Sequence, residues 1–156
     1  AHSDPASDLP AAVLALGGTI IAHGPNGVRE IAANEFFTGY FESVLAADEI
    51  ITEVQIPTGT GAWNYQKFNR RAQDWSIVGV GVADGGKGIS LVNMGSTPIR
   101  ATAAEEALAS GASAADAAAL AAQGTTPPED SNADAAYRTH LATVLTRRAL
   151  EAAGVA

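Results

Sequence analysis

The first 57 residues contain short apolar segments whose periods differ from one another. Residues 9–16 are rich in Ala and Leu between Asp8 and the pair Gly17–Gly18, which predicts a short helix capped by Asp8. TIIAH and VREI flank the turn GPNG and predict a β-hairpin. ANEFFTGYF predicts a short helix or turn, and DEIITEVQIP predicts a strand that Pro57 ends. The pattern favours a small unit of mixed helix and strand.

A different pattern follows the loop TGTGA at residues 58–62. WNYQKFNRR and SIVGVGVAD both alternate with a period of two, which is typical of half-buried strands. GKGISLVNMG continues after a turn that contains Asp84 and Gly85. These three segments predict a three-stranded antiparallel meander.

Three helices are predicted after the meander. The first begins with a capping box of Thr102 and Glu105, and the second begins at Ser113 and ends near Gly124. The third extends from about 131 to 153 and has four residues at helical spacing that form a core face: Tyr137, Leu141, Val144 and Leu145. The predicted fold class is therefore α+β, with a three-stranded antiparallel sheet followed by a three-helix bundle.

Charge is distributed unevenly between the two parts of the chain. The whole sequence has a formal charge of −8 and 47% hydrophobic residues, which suits a folded domain with a core. Residues 1–57 hold eight acids and one base, Arg29, whereas residues 58–156 hold nine acids and eight bases. This shift predicts a boundary near residue 57. The balance argues against nucleic acid as a partner, and the acidic half is either a solvated surface or a partner-facing one.

Cysteine and membrane signals are missing from the sequence. There is no cysteine, which excludes disulfides, cysteine-ligated iron–sulfur clusters and thiolate zinc sites in this chain. No apolar run of 18 residues and no basic-then-apolar leader is visible, so no membrane span is expected. These features fit a cytoplasmic protein.

Several candidate catalytic motifs fail on their chemistry. GVADGGK has the spacing of a P-loop, but Gly88 follows it where Ser or Thr would reach magnesium, and the segment lies in a predicted hairpin. His2, His23 and His140 are far apart and lack metal-ligand spacing. No nucleophile elbow is present, so nothing supports hydrolase chemistry.

The segment NYQKFNRRAQDWSIVGVGV places Lys67, Arg70 and Arg71 before a polar bend that leads into Trp75. An exposed aromatic side chain beside cations suits a flat, electron-rich ligand, which it could stack against. Ordinary strand packing with solvated arginines explains the same residues. The pattern leaves both interpretations open.

Four stretches together resemble the FAD-binding medium subunit of molybdenum hydroxylases. They are AHSDPASDLPAAVLAL, FFTGYFESVLAADEIITEVQIP, YQKFNRRAQDWSIVGV and YRTHLATVLTRRAL, in the family's order and over nearly the whole chain. The aerobic carbon monoxide dehydrogenase type is the more similar, and xanthine dehydrogenase is more distant. The resemblance implies a partial FAD-binding α/β subdomain at 1–57 and the subunit's C-terminal domain at 58–156.

The resemblance also implies site residues. Asp8 and Ile51 match FAD-contacting positions, and the segment from Lys67 onwards matches the loop that borders the isoalloxazine ring. There Trp75 would cover the ring and Asp74 would tune its electrostatics. No residue of this chain is expected to act as acid, base or nucleophile.

The implied function is electron transfer within an oxidoreductase complex. FAD would receive electrons from the iron–sulfur clusters of a small partner subunit and pass them to an acceptor. Substrate oxidation would occur at molybdenum in a large partner subunit, which selects the substrate.

The family holds the adenine–diphosphate end of FAD with two glycine-rich loops that this sequence does not contain. One belongs to an N-terminal subdomain, and one of TIGGN type immediately precedes the position of Ala1. We therefore expect a fragment that keeps the isoalloxazine side of the site and binds FAD weakly or not at all. The alternatives are a non-catalytic module that docks partner subunits without holding FAD, and a free-standing flavoprotein outside molybdenum enzymes.

Overall fold

The computed structural model describes residues 1–59 and 61–156, and its first part is built on a three-stranded antiparallel sheet. The elements in chain order are α1 (Asp8–Ala15), β1 (Thr19–Gly24), β2 (Gly27–Ala32), α2 (Ala33–Phe36), β3 (Phe37–Gly39), β4 (Glu42–Ser43) and β5 (Ile50–Gln55). The sheet order is β2-β1-β5, and β3 pairs with β4 separately. The predicted hairpin and strand are confirmed.

The second sheet has four antiparallel strands in the order β6-β7-β8-β9. Their bounds are β6 (Asn64–Phe68), β7 (Val78–Ala83), β8 (Gly88–Val92) and β9 (Ile99–Arg100). The predicted meander is confirmed and gains β9, whose two residues are too few to show an alternating pattern. Asp84–Gly86 forms a turn between β7 and β8, which excludes the P-loop geometry. The predicted loop at 58–62 includes residue 60, which lies outside the described residues.

Three helices follow the second sheet, as predicted. They are α3 (Thr102–Ala109), α4 (Ala114–Ala119) and α5 (Ala135–Ala152). The Ser113 side chain accepts a hydrogen bond from the amide of Asp116, so it caps α4, but this helix ends at Ala119 and not near Gly124. Asp134 caps α5, so this helix begins later than predicted. Within the described residues, no helix is long and apolar enough to cross a membrane.

The predicted capping box of α3 is wrong. Ala101 occupies the N-cap position, and no side-chain cap bond forms there. The Glu105 carboxylate accepts hydrogen bonds from the Ile89 amide at 2.7 Å and from Arg100 Nε at 2.6 Å. Because the Glu105 carboxylate accepts these two hydrogen bonds, it does not bond to the backbone amide at the start of α3, as a capping box requires.

The two faces of the second sheet carry side chains of very different size. On β7, Val78, Val80 and Val82 are buried on the face that packs against α3, α4 and α5. Gly79 and Gly81 alternate with them and lie on the opposite face. The absence of side chains there lets another backbone approach closely.

Helix α1 occupies this glycine face. A Cβ on Gly88 would lie 1.9 Å from the Ala15 carbonyl oxygen, so α1 rests directly on β8. Arg100 also donates a hydrogen bond to the Leu14 carbonyl at the end of α1. Leu14 packs in a second cluster with residues of the first sheet, among them Ile20 and Ile31. Helix α1 therefore joins the two sheets.

Candidate functional site

The carboxylate of Asp8 joins α1 to the second sheet. Its Oδ1 accepts hydrogen bonds from the Tyr65 hydroxyl at 2.8 Å and the Ser76 hydroxyl at 2.7 Å. Its Oδ2 accepts from Lys67 Nζ at 2.8 Å. Charge-assisted bonds of this kind are stronger than neutral ones. The start of α1, strand β6 and the residues before β7 are thus fixed to one another.

The predicted capping role of Asp8 is wrong. Helix α1 begins at Asp8 itself, and the N-cap position belongs to Ser7, whose side chain makes no capping bond. The three donors, two from β6 and one from the segment before β7, draw the Asp8 carboxylate away from the helix amides. A sequence pattern detects local caps, but these donors are distant in the chain.

The surroundings of Asp8 fix the protonation of the cluster. Burial alone would raise the pKa of Asp8, but hydrogen bonds from Lys67, Ser76 and Tyr65 outweigh it and hold this pKa below its ordinary value. Burial, together with the bond to the Asp8 carboxylate, raises the pKa of the Tyr65 hydroxyl. At neutral pH the carboxylate is therefore charged, and Tyr65 remains a protonated donor.

Lys67 lies on the same face of the second sheet as the glycines of β7. It is paired in register with Gly79, and Tyr65 is paired with Gly81. A Cβ on Gly79 would lie 2.9 Å from the Tyr65 hydroxyl, so the glycine makes room for the ring that reaches Asp8. The Lys67 ammonium is held in place, and its side chain remains partly exposed.

The segment between β6 and β7 forms a polar bend that ends at Trp75. The amide of Asp74 donates to the Arg71 carbonyl at 3.1 Å, and Gln73 has a φ of 73°. The Ile77 amide donates to the Phe68 carbonyl at 2.8 Å and closes the base of the loop. Trp75 is 63% exposed, so it is available for stacking and is not a core residue.

Trp75 and Ile51 line one cavity between α1 and the first sheet, here called the apolar cleft. Its volume is about 780 Å³, and its walls include Leu9, Phe41 and Val54. Ser3 also lines it, and the Ser3 hydroxyl is buried without a hydrogen-bond partner among the described residues. The apolar cleft therefore offers mainly apolar walls and, at Ser3, a buried hydroxyl that has no partner in the described part of the chain.

Asp74 lies at a second cavity, here called the polar cavity, which Trp75 also lines. Its volume is about 480 Å³, and it includes Asn93 and Arg138. Of the five predicted residues, Ile51 and Trp75 thus share the apolar cleft, Asp8 and Lys67 form an ion pair, and Asp74 is beside Trp75 at the polar cavity.

Sequence reasoning missed four residues that build this region: Tyr65, Ser76, Asn93 and Arg138. Arg138 is 0% exposed and donates to the Ile77 carbonyl and, at 2.8 Å, to Asp130. Its spacing to Leu141 and Leu145 places it on the core face of α5, and this spacing could have indicated from the sequence that Arg138 is buried. Asn93 gave no such signal.

Two protein-family models match this chain, one over each of its two parts. The family model described as CO dehydrogenase flavoprotein C-terminal domain matches residues 63–153, and the model described as FAD binding domain in molybdopterin dehydrogenase matches residues 1–59. The chain belongs to the CO dehydrogenase flavoprotein family. This confirms the predicted resemblance, and FAD is the cofactor that the second match indicates.

Members of the CO dehydrogenase flavoprotein family share both sequence and fold with this chain. The carbon monoxide dehydrogenase medium chain of Afipia carboxidovorans is 35% identical over 98% of this chain and 58% of its own length. Carbon monoxide dehydrogenase from Hydrogenophaga pseudoflava has a structure with a TM-score of 0.88 and 36% identity, covering 98% of this chain and 58% of that one.

Quinoline 2-oxidoreductase from Pseudomonas putida 86 has a TM-score of 0.86 at 28% identity, with 99% of this chain and 58% of that chain covered. The chain therefore spans less than two thirds of the length of the relatives it matches. The α+β fold class is confirmed by these structures.

The lining of the apolar cleft has the chemistry that suits the isoalloxazine ring of FAD, the cofactor that the FAD-binding family match indicates. An isoalloxazine ring has a flat apolar body and a polar edge. The exposed Trp75 indole and the apolar cleft suit the body, and the unpaired Ser3 hydroxyl, which lines the cleft, suits a polar atom. Lys67 is not among the described residues that line this cleft. Among the described residues, no cluster of three His, Asp or Glu side chains could hold a metal ion.

Proposed function

We propose that this chain provides the ring-facing part of the FAD site in the medium subunit of a molybdenum hydroxylase. The complex would be carbon monoxide dehydrogenase-like and would pass electrons from partner iron–sulfur clusters through FAD to an acceptor. The observation that carries the proposal is the Asp8 cluster, which fixes a lysine cation and the loop of Trp75 to the start of the same helix.

FAD, when bound, supplies the conversion between one-electron and two-electron transfer. In this proposal the chain's own residues bind and orient it. Trp75 covers the ring, and Ile51 contributes to the apolar wall. Lys67 is held in position by Asp8, and because the Asp8 carboxylate balances its charge, Lys67 contributes an oriented N–H donor without a net positive charge. Asp74, which lines the polar cavity beside Trp75, adds an acidic side chain near the ring and tunes its electrostatics.

The partners belong to the same proposal. A large molybdenum-cofactor subunit would oxidise the substrate, and a small iron–sulfur subunit would deliver the electrons, because this chain has no cysteine with which to ligate a cluster. Relatives named for carbon monoxide and for quinoline share this fold, which supports substrate selection elsewhere in the complex. We place the complex in the cytoplasm.

Titration of the purified chain with FAD and with riboflavin tests the proposed site. Both flavins share the ring, so a ring-facing site binds them with similar, weak affinity, measured by flavin fluorescence and co-elution. FAD binding at least about tenfold tighter than riboflavin binding, ~1.4 kcal/mol, would place diphosphate contacts within this chain and contradict the proposal.

A non-catalytic docking module is the second candidate. An apolar groove of about 560 Å³ lies beside α1 and is lined by Leu9, Ile56 and Trp63, of which Leu9 and Trp63 are largely exposed. Exposed apolar surface of this kind marks interaction sites. Absence of binding by either flavin in the titration favours this candidate over the ring-facing site.

A further inference from the structure

Asn93, which follows β8, contacts two segments that are far apart in the chain. Its side-chain Nδ2 donates a hydrogen bond to the Ser76 carbonyl at 3.0 Å. Its backbone amide donates to the Pro5 carbonyl at 2.8 Å. Ser76 immediately follows Trp75, and Pro5 precedes α1 and its Asp8. One residue thus ties the loop of Trp75 to the segment that leads into α1.

The backbone of Asn93 suits this double contact. Its φ is 60°, in the left-handed region where Asn is several-fold enriched over most residues. In this conformation its backbone and side-chain donors serve different segments. A β-branched or bulky residue would be strained at this position.

Four hydrogen bonds hold Ser76 and Ile77, the two residues that follow Trp75. The Ser76 hydroxyl donates to Asp8, and its carbonyl accepts from Asn93. The Ile77 carbonyl accepts from the buried Arg138, and the Ile77 amide donates to the Phe68 carbonyl. The indole of Trp75 nevertheless remains exposed, so the backbone beneath it is held and the ring faces open space.

We propose that Asn93 is a positioning residue, which holds the Trp75 loop against the residues before α1 so that the stacking indole is in place before a ligand arrives. Preorganisation of this kind increases affinity because less conformational freedom is lost on binding. The ligand in question is the flavin of the proposed function, on which this inference rests. The clamp itself is a property of the chain and can be measured without any ligand.

The test uses Trp75 as the reporter. A Trp63→Phe background leaves it as the sole tryptophan, since the chain has two. In that background Asn93→Gly keeps the left-handed backbone and the amide, but removes the side-chain donor. Asn93→Asp keeps the shape and replaces the donor with an acceptor that faces the Ser76 carbonyl. Asn26→Asp, an exposed change in the β1–β2 turn, is the matched control.

Each protein is examined by tryptophan anisotropy and acrylamide quenching, and then by flavin titration. We expect both Asn93 variants to lower the anisotropy and raise the quenching constant, while the control matches its parent. Flavin affinity should fall about fivefold, the effect of losing one hydrogen bond. Circular dichroism identifies a variant that has not folded, and the other variant then decides the result.

Unchanged anisotropy and quenching in the folded Asn93 variants would overturn the clamp. A more mobile Trp75 with unchanged flavin affinity would overturn its role in positioning. If the parent protein binds no flavin, the proposed function fails, and the ligand-free tryptophan measurement still decides whether Asn93 holds the loop.

Discussion

The carboxylate of Asp8 lies 2.8 Å from the ammonium of Lys67, and the two residues are separated by 59 positions in the chain. The bond connects the first turn of α1 with β6. It links the part of the chain that matches an FAD-binding domain to the part that matches a C-terminal domain. The ion pair is therefore structural as well as a candidate part of the flavin site.

The variant Asp8→Asn tests the structural part. Its side-chain amide still offers one oxygen to Tyr65 and Ser76, but the attraction to Lys67 is lost. We expect a loss of about 1 kcal/mol in the free energy of unfolding, at the low end for such a bond because solvent reaches the pair. Urea unfolding provides the measurement, with the exposed Asp48→Asn as the control. Equal midpoints for the two variants would contradict the prediction.

The ion pair of Glu49 with Arg29 should contribute to the stability of the folded protein in a way that acid removes. Hydrogen bonds from Arg29, and then from the Ala46 amide, lower the pKa of Glu49 from 4.5 to about 2. Because the folded-state pKa is depressed, the contribution is present above pH 4.5 and is lost as the pH falls toward 2. Glu49→Gln should flatten the pH dependence of unfolding in this window. An acid limb as steep as that of the parent would count against the pair.

Gly88 predicts a severe packing defect when a methyl group is added. Its Cβ would lie 1.9 Å from the Ala15 carbonyl oxygen, which is backbone and cannot rotate away. We expect Gly88→Ala to destabilise the protein by about 3 kcal/mol or more. Thermal and urea unfolding measure this. Gly39→Ala is the matched control, since its Cβ would meet only the end of the flexible Glu42 side chain, at 2.9 Å. Similar losses for both variants would argue against close packing of α1.

Trp75 and Trp63 form a matched pair for testing the flavin site. Both are exposed, at 63% and 69%, but only Trp75 lines the apolar cleft. Trp75→Ala should weaken flavin binding by about 5-fold, near the energy of one aromatic stack, ~1 kcal/mol. Trp63→Ala should leave the affinity unchanged, and neither variant should alter the unfolding midpoint appreciably. Equal flavin affinities for the two variants would remove Trp75 from the site.

The sequence allowed prediction of elements whose signals are local. The alternating valines and glycines of β7 and the turn between TIIAH and VREI specify a strand and a hairpin by themselves. Strand β9 has two residues and hence no measurable period. The Asp8 and Glu105 caps failed for a common reason: distant donors compete for carboxylates that local rules assign to helix ends.

In the candidate site, too, features with a local sequence signal could be predicted and contacts between distant residues could not. Trp75 could be recognised as exposed because a polar bend precedes it, and the structure agrees. The contacts of Asn93 and Arg138 depend on the juxtaposition of β8, α5 and the Trp75 loop, which no local pattern encodes. The flavin-contacting roles of Asp8, Ile51, Lys67, Asp74 and Trp75 remain predictions.

The contact between Gly88 and Ala15 also limits how such proteins can recombine. Helix α1 precedes the charge boundary near residue 57, yet its backbone rests on a strand that follows this boundary. In a chimera that took residues 1–57 from one relative and the remainder from another, α1 of the first protein would have to pack against the glycine face of the second protein's sheet. Such an exchange is therefore tolerated only where the strand that corresponds to β8 also has a glycine at the position of Gly88.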